Sequence, residues 1–335
     1  MRAISDIDPL EQGVVSVRLS PGWQVPLPPL VELLDAHFGA GCPSTGLTKP
    51  ADGVGLAGDL MRAAPALSGL ARDAATLLAA GACGLLVPAL GLAGLPLEDK
   101  RKILYALSAL MGTPSVTNPR TGEVVWDVKD ARREAAGDAA HHGRYWSFSE
   151  TNDEASYHTD TQYFADPERY FLLYFHEIAS CGGGVNSLRS VEMLKDEMMR
   201  SRDGREALAF FHEQPLPFRI PTLFTSTGRP ETREYTFAPL FGADVYCRYR
   251  SDTLEKGLED HPEYDTPQAR RHLAFWQKLL DDGPGEIRQA MPRDSLVIID
   301  NHRALHARSA FEDHRRLVVR VRFHAAPGRL DMLRG

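Results

Sequence analysis

The segment Arg315-Arg316-Leu317-Val318-Val319-Arg320-Val321-Arg322-Phe323 constrains the fold more than any other part of the chain. Side chains alternate between the two faces of a strand. Arg316, Arg320 and Arg322 therefore share one face, and Leu317, Val319, Val321 and Phe323 share the other. The apolar face needs a cover of helices or a second sheet, which turns the arginine face inward. A buried guanidinium without an anion is strongly destabilising. Either the arginines meet anions inside the protein, or the segment is an exposed edge strand whose arginines pair with surface carboxylates.

What surrounds this segment is an ordinary globular chain. Of its 335 residues, 43% are hydrophobic and 25% charged, which is ample for a core. A net charge of −7 provides no overall basic field for nucleic acid or anionic lipid, so neither is expected as a partner. The four cysteines, Cys42, Cys83, Cys181 and Cys247, include no C-x-x-C pair, which argues against a disulfide framework or thiolate zinc site and for a cytoplasmic protein. Thr76 to Leu97 carries no charge, but its glycines and its prolines Pro88 and Pro96 would break a membrane-spanning helix. It reads instead as a helix end, a short buried strand (Cys83 to Val87) and a loop.

The chain divides by texture. Residues 1–112 read as a largely helical flank, with a possible strand at Gly13 to Leu19, helices within 56–80 and a clear amphipathic helix from Leu97 to Met111. Residues 113–145 are polar and read as a loop or lid. From residue 146 to 325 strands dominate, among them Tyr170 to Ile178, Leu296 to Ile299 and Leu317 to Phe323. A helical insert interrupts them, with helices at Ser190 to Arg200 and Pro267 to Leu280. The expectation is one domain: a mainly β core with flanking helices, of the α+β class.

Tyr157-His158-Thr159-Asp160 is the most informative motif. In an extended chain His158 and Asp160 project from the same side, so an imidazole and a carboxylate can meet at one point. A third ligand is available downstream, where the strand Leu296 to Ile299 runs into Asp300-Asn301-His302-Arg303-Ala304-Leu305-His306. Two histidines and a carboxylate make a facial triad, which leaves open positions on an iron(II) ion for a chelating 2-oxo acid and O2. His-x-Asp alone is a weak signal in a chain with 12 His and 45 acidic residues. The arginine strand strengthens it, because 2-oxoglutarate brings a distal carboxylate that a guanidinium can grip bidentately. His302 and His306 both stand as possible third ligands.

At these residues the chain resembles the taurine dioxygenase and clavaminate synthase-like superfamily of Fe(II)/2-oxoglutarate-dependent dioxygenases. The resemblance rests on His158-Thr159-Asp160, on Asn301 to Arg308 and on Arg315 to Arg320, and it extends from about residue 80 to 325. Gly84 to Leu92 is similar to an early strand of that family, without its usual arginine. The resemblance implies a distorted double-stranded β-helix (jelly-roll) core and iron ligation by His158, Asp160 and His306, with His306 preferred over His302. It implies that Arg316 holds the distal carboxylate of 2-oxoglutarate and that Arg320 lies nearer the substrate. Gly183-Gly184-Val185-Asn186 falls where the family has a G-G-x-T turn, so Asn186 takes the place of the threonine that touches 2-oxoglutarate. Retention of Asp160 disfavours halogenation and leaves hydroxylation leading, ahead of desaturation or cyclisation.

In such enzymes the segment upstream of the metal strand, here Tyr145 to Glu154, lines the substrate pocket. Ser149 is a candidate there, and Glu154 or Asp153 could bind an amine while Arg320 binds a carboxylate, which would suit an amino acid or a derivative. The bland alternative for this segment is a surface turn. Two other classes compete with the oxygenase: a zinc hydrolase on the same three ligands, and a jelly-roll binding module without catalysis. The hydrolase gives the arginine strand no purpose, and the binding module predicts normal ligand binding after His158→Ala. Oligomeric state is not legible.

Overall fold

The computed structural model describes residues 3–10, 13–132, 143–243 and 246–326. The chain opens with a hairpin, β1 (Ile4–Pro9) and β2 (Val14–Leu19), then helices α1 (Leu27–Phe38), α2 (Gly53–Ala63) and α3 (Pro65–Ala79). Strand β3 (Gly84–Val87) and helix α4 (Leu97–Met111) follow, then two short strands, β4 (Gly112–Pro114) and β5 (Trp126–Val128). Next come β6 (Ala155–His158), β7 (Tyr170–Glu177) and β8 (Asn186–Ser190). An excursion of α5 (Val191–Met199), α6 (Arg202–Glu213), β9 (Leu216–Arg219), β10 (Tyr235–Ala238), α7 (Ser251–Asp260) and α8 (Pro267–Asp282) leads back to the sheets. The last strands are β11 (Ile287–Gln289), β12 (Leu296–Asp300), β13 (Ala304–Arg308) and β14 (Leu317–Ala325).

Two sheets face each other. The major sheet runs β1-β2-β3-β12-β7-β14-β4, with β5 also paired to β14; the minor sheet runs β11-β8-β13-β6. Period-two alternation sorts the major sheet's side chains. Leu85, Leu172, Tyr174, Ile298, Val319, Val321 and Phe323 face outward into a core made with α1 to α4. Leu86, Phe171, Phe175, Val297, Ile299 and Val318 face inward, where Leu188 of β8 and Ala304 of β13 meet them. The outer side of the minor sheet, through Leu305, packs on a second helical core around Phe211, Trp276 and Leu258. The result is a jelly-roll sandwich that does not close into a barrel, wrapped in helices on both sides.

Helix boundaries follow local chemistry. Ser190 and Thr266 accept backbone N–H bonds as N-caps of α5 and α8, and Asp52 caps α2. Pro65 and Pro267 sit at first-turn positions, where the missing N–H costs nothing. The same rule explains α1, which the proline-rich stretch hid: Pro28 and Pro29 occupy its first turn.

Several expectations need correction. Residues 113–145 are not simply a loop, because β4 and β5 within them add to the major sheet beside β14; the part of the presumed lid at 133–142, including His141 and His142, lies outside the described residues. The first 112 residues contribute three strands of the major sheet as well as helices. Thr76 to Leu97 needs no correction: it resolves into the end of α3, β3 and a loop, and no described helix is long and apolar enough to cross a membrane.

This layering predicts where substitutions hurt. Phe323→Ala, in the outward core, lowers unfolding free energy by about 3–5 kcal/mol in urea titration. Arg202→Ala, which breaks only an exposed pair with Glu206, changes it by less than about 1 kcal/mol.

Candidate metal centre

β6 and β13 are neighbours in the minor sheet, and the register sets His306 directly opposite His158. Their ring centroids are 4.1 Å apart. Asp160, two residues beyond His158, places Oδ1 3.7 Å from His158 Nε2 and 3.9 Å from His306 Nε2. One ligand atom from each of the three lies within 4.8 Å of the others, and among the described residues no other such group occurs. A register shift accompanies this pairing: Arg308 lies opposite Ala155, so β6 carries one residue more than β13 between the two pairs. Bulges of this kind re-aim side chains beside functional sites.

A second layer fixes the three side chains. His158 Nδ1 lies 2.8 Å from the Ser156 carbonyl, which leaves Nε2 facing the cluster. Asn301, fully buried, accepts the Asp160 N–H at 2.7 Å and donates to the carbonyls of Asp160 and Glu168. The next residue, Thr161, adopts φ 52°, an uncommon conformation for a β-branched residue, and its hydroxyl donates to Glu168. Glu168 in turn faces Arg322 across 3.9 Å. Every polar atom of the Asn301 side chain is thereby used to hold Asp160 in place.

The electrostatics suit a metal ligand set. Burial, reinforced by His306, pushes the His158 pKa well below the ordinary histidine range. Burial also lowers His306, to about 4. Burial opposes ionisation of Asp160, but Arg320, His306 and Arg322 outweigh it and hold the carboxyl well below its usual range. Near neutrality the site thus presents two neutral imidazoles and one carboxylate, the forms that bind metal. With no thiol among them, the donors fit iron(II) or another divalent transition ion.

A cavity of about 60 Å³ lies beside this cluster, bordered by His158, Asp160 and His306. Arginines line much of it. Arg316 is 4% exposed, has no ion-pair partner among the described residues, and its Nη1 makes no hydrogen bond. Burial, together with Arg308 beside it, lowers its pKa to about 9. The Gly183-Gly184 turn makes room for it: Gly184 has φ 71°, and a Cβ there would stand 3.1 Å from Arg316 Nε. Asn186 lines the same cavity, its amide donating to the Gly184 carbonyl.

Other expected residues fall differently. Ser149 is buried in the cavity wall, its hydroxyl without a described partner. Arg320 also faces the cavity, but its Nη1 is bonded to Asp160 at 2.9 Å, so its first partner is the ligand carboxylate. Glu154 does not reach the cavity. It is exposed and borders a separate groove on the outer side of the minor sheet. Asp153 is likewise at the surface, paired with Arg132. The amine partner read from these two residues is therefore not present in the cavity. His302 turns away to the Pro167 carbonyl and the Tyr246 ring, which removes it from the cluster.

Two cavity residues escaped the sequence reading. Arg308 follows His306 by two positions on β13 and so shares its face; buried, it donates to the carbonyls of Phe148, Thr151 and Asp153. Recognising Ala304 to Arg308 as a strand would have found it. Arg250 lies opposite His158 through an isolated bridge, paired with Asp252 and stacked 3.9 Å over Phe148. No spacing in the sequence points to it.

Comparison with known proteins agrees with this architecture. Residues 84–322 match the model of the taurine catabolism dioxygenase TauD, TfdA family. A trimethyllysine dioxygenase of Meyerozyma guilliermondii is 25% identical over 198 residues, 53% of this chain and 46% of that protein. The chain thus spans about half the length of this curated relative. Among solved structures, an asparagine oxygenase in complex with Fe(II), a 3-hydroxyasparagine and succinate superposes with TM-score 0.64 at 14% identity, covering 92% of this chain and 93% of that one. The non-heme iron oxygenase OrfP in complex with Fe, succinate and (3S)-hydroxy-L-Arg gives 0.57 at 19% identity, covering 93% and 94%.

If His158, Asp160 and His306 are the ligands, calorimetric titration with Fe(II) under argon shows no binding to Asp160→Ala. Asn301→Ala weakens it by about 10–100-fold, and His302→Ala leaves it unchanged.

Proposed function

The chain belongs to the taurine catabolism dioxygenase TauD, TfdA family, and from that premise we propose that it is an iron(II)- and 2-oxoglutarate-dependent dioxygenase that hydroxylates a small polar metabolite of the amino-acid class. The observation that carries this reading is the buried, unpaired Arg316 in the wall of the same cavity as the His-Asp-His cluster. A structural cation would be matched within the chain, as Arg322 is by Glu168, Arg250 by Asp252 and Arg308 by three backbone carbonyls. Arg316 is matched by none among the described residues, and a zinc hydrolase would have no use for it.

The residues divide the work. His158, Asp160 and His306 would hold iron, and Arg316, with Asn186 near it, would take the distal carboxylate of 2-oxoglutarate through a charge-assisted pair. Iron bound there supplies the redox capacity that couples O2 and decarboxylation of 2-oxoglutarate, to succinate and CO2, with oxidation of a C–H bond. Arg320 keeps Asp160 ionised and oriented, and its Nε remains available to a substrate carboxylate. Ser149 offers a buried hydroxyl to the same substrate. Arg308 holds the 148–153 segment against the cavity by its three carbonyl contacts, which positions Ser149.

Amino-acid chemistry is favoured by the cavity's surplus of cations over carboxylates and by the relatives, whose names carry trimethyllysine, asparagine and arginine derivatives. With Glu154 outside the cavity, the carboxylate end of such a substrate has the clearer anchor. Hydroxylation leads over desaturation or cyclisation, and product mass separates them as gain of an oxygen atom against loss of two hydrogens.

With Fe(II), 2-oxoglutarate and air the protein releases succinate, and under argon it releases none. Arg316→Ala raises the 2-oxoglutarate KM by about 100-fold, the worth of a buried charge-assisted pair, and Arg316→Lys recovers part of it. Oxygen-independent turnover would instead support the hydrolase.

A further inference from the structure

A second cavity, of about 40 Å³, lies between the sheets and shares a wall with the site cavity through Leu173, Asn186, His306 and Ala307. Its lining is otherwise mostly apolar: Phe175, Leu188, Ile287, Met291, Val297 and Ile299. No arginine, lysine or carboxylate borders it, whereas four arginines border the site cavity. It reaches solvent along β11, the edge strand of the minor sheet, where Ile287, Gln289 and Met291 are half-buried. His306 therefore borders two cavities of opposite chemical character, one arginine-lined and one mostly apolar.

We propose that this inter-sheet cavity binds dioxygen and conducts it to the metal centre, an inference that rests on the oxygen-dependent reading above. Apolar cavities in proteins stay dry and accept uncharged, apolar guests such as xenon. A dicarboxylate or an amino acid would lose its hydration there and find no counter-charge. Dioxygen has no hydration shell to lose. The two cavities thus separate the reactants by polarity: ionic ones enter past Arg308, Arg316 and Arg320, and the gas comes through the β11 edge.

The test combines xenon with kinetics. In crystals of the wild-type protein under xenon pressure, a xenon atom is expected among Phe175, Val297, Ile299 and Met291. Met291→Trp at the mouth and Val297→Phe inside should each displace xenon and raise the O2 KM by about tenfold, with the anaerobic affinity for 2-oxoglutarate unchanged. Two variants at different depths guard against one that fails to fold. Ordered water in place of xenon overturns the proposal, and so does an unchanged O2 KM in a variant that has lost xenon. A raised 2-oxoglutarate dissociation constant in both variants would make the cavity part of the cosubstrate site and also overturns it. Absence of O2-dependent succinate from the wild type, even with xenon bound, overturns the oxygenase reading itself and the gas route with it.

Discussion

The pairing of β6 with β13 in one register governs everything else at the site. It sets His158 against His306, and because side chains alternate, a slip of one residue would send one imidazole to the far face of the sheet. The neighbours of β13 on both sides fix that register. β8 pairs along its whole length from Ala304 to Arg308, and the apolar Leu305 is anchored in the outer helical core. The extra residue in β6 then lets His158 and Ala155 both border the cavity, which strict alternation would forbid.

Around that pair the inter-sheet space departs from an ordinary hydrophobic core. On β14, Val318 continues the apolar inward face of the major sheet, but Arg320 and Arg322 replace it farther along. Buried charges survive only in company. Asp160 has Arg320, Glu168 has Arg322 and two hydroxyls, and Asp252 has Arg250 and the Tyr145 hydroxyl. Arg316 is the exception, stacked with Arg308 about a single ring, Phe311. Arg189, Arg248 and Arg308, buried without a carboxylate, are held by backbone carbonyls; Arg316, whose Nη1 has no such acceptor among the described residues, is placed to receive an anion.

Much of this was legible before any coordinates. Local rules sufficed where an element has its own signature: the helix Leu97 to Met111, the helix after Ser190, and the two-faced strand after Leu317 all appear as their patterns require. His158 and Asp160 were readable as a pair because two residues of extended chain already bring them together. What local patterns cannot carry is the partner across the sheet. β13 is five residues long and sets the outward Leu305 between inward Ala304 and His306, so it reads as a loop unless its neighbours are known. Arg308 was lost with it. Glu154 shows the reverse error: nearness in sequence to the metal strand suggested nearness in space, yet the side chain points away from the cavity. Arg320 was placed on the correct face, but its bond to Asp160 depends on the distance between sheets.

The most direct measurement follows absorbance while Fe(II) and 2-oxoglutarate are added to the protein without oxygen. The account predicts a weak visible charge-transfer band that requires both additions, vanishes in Asp160→Ala, and in Arg316→Ala appears only at far higher 2-oxoglutarate. No band at any concentration, or one indifferent to both substitutions, would contradict the assignment of this cavity as the site where metal and diacid meet.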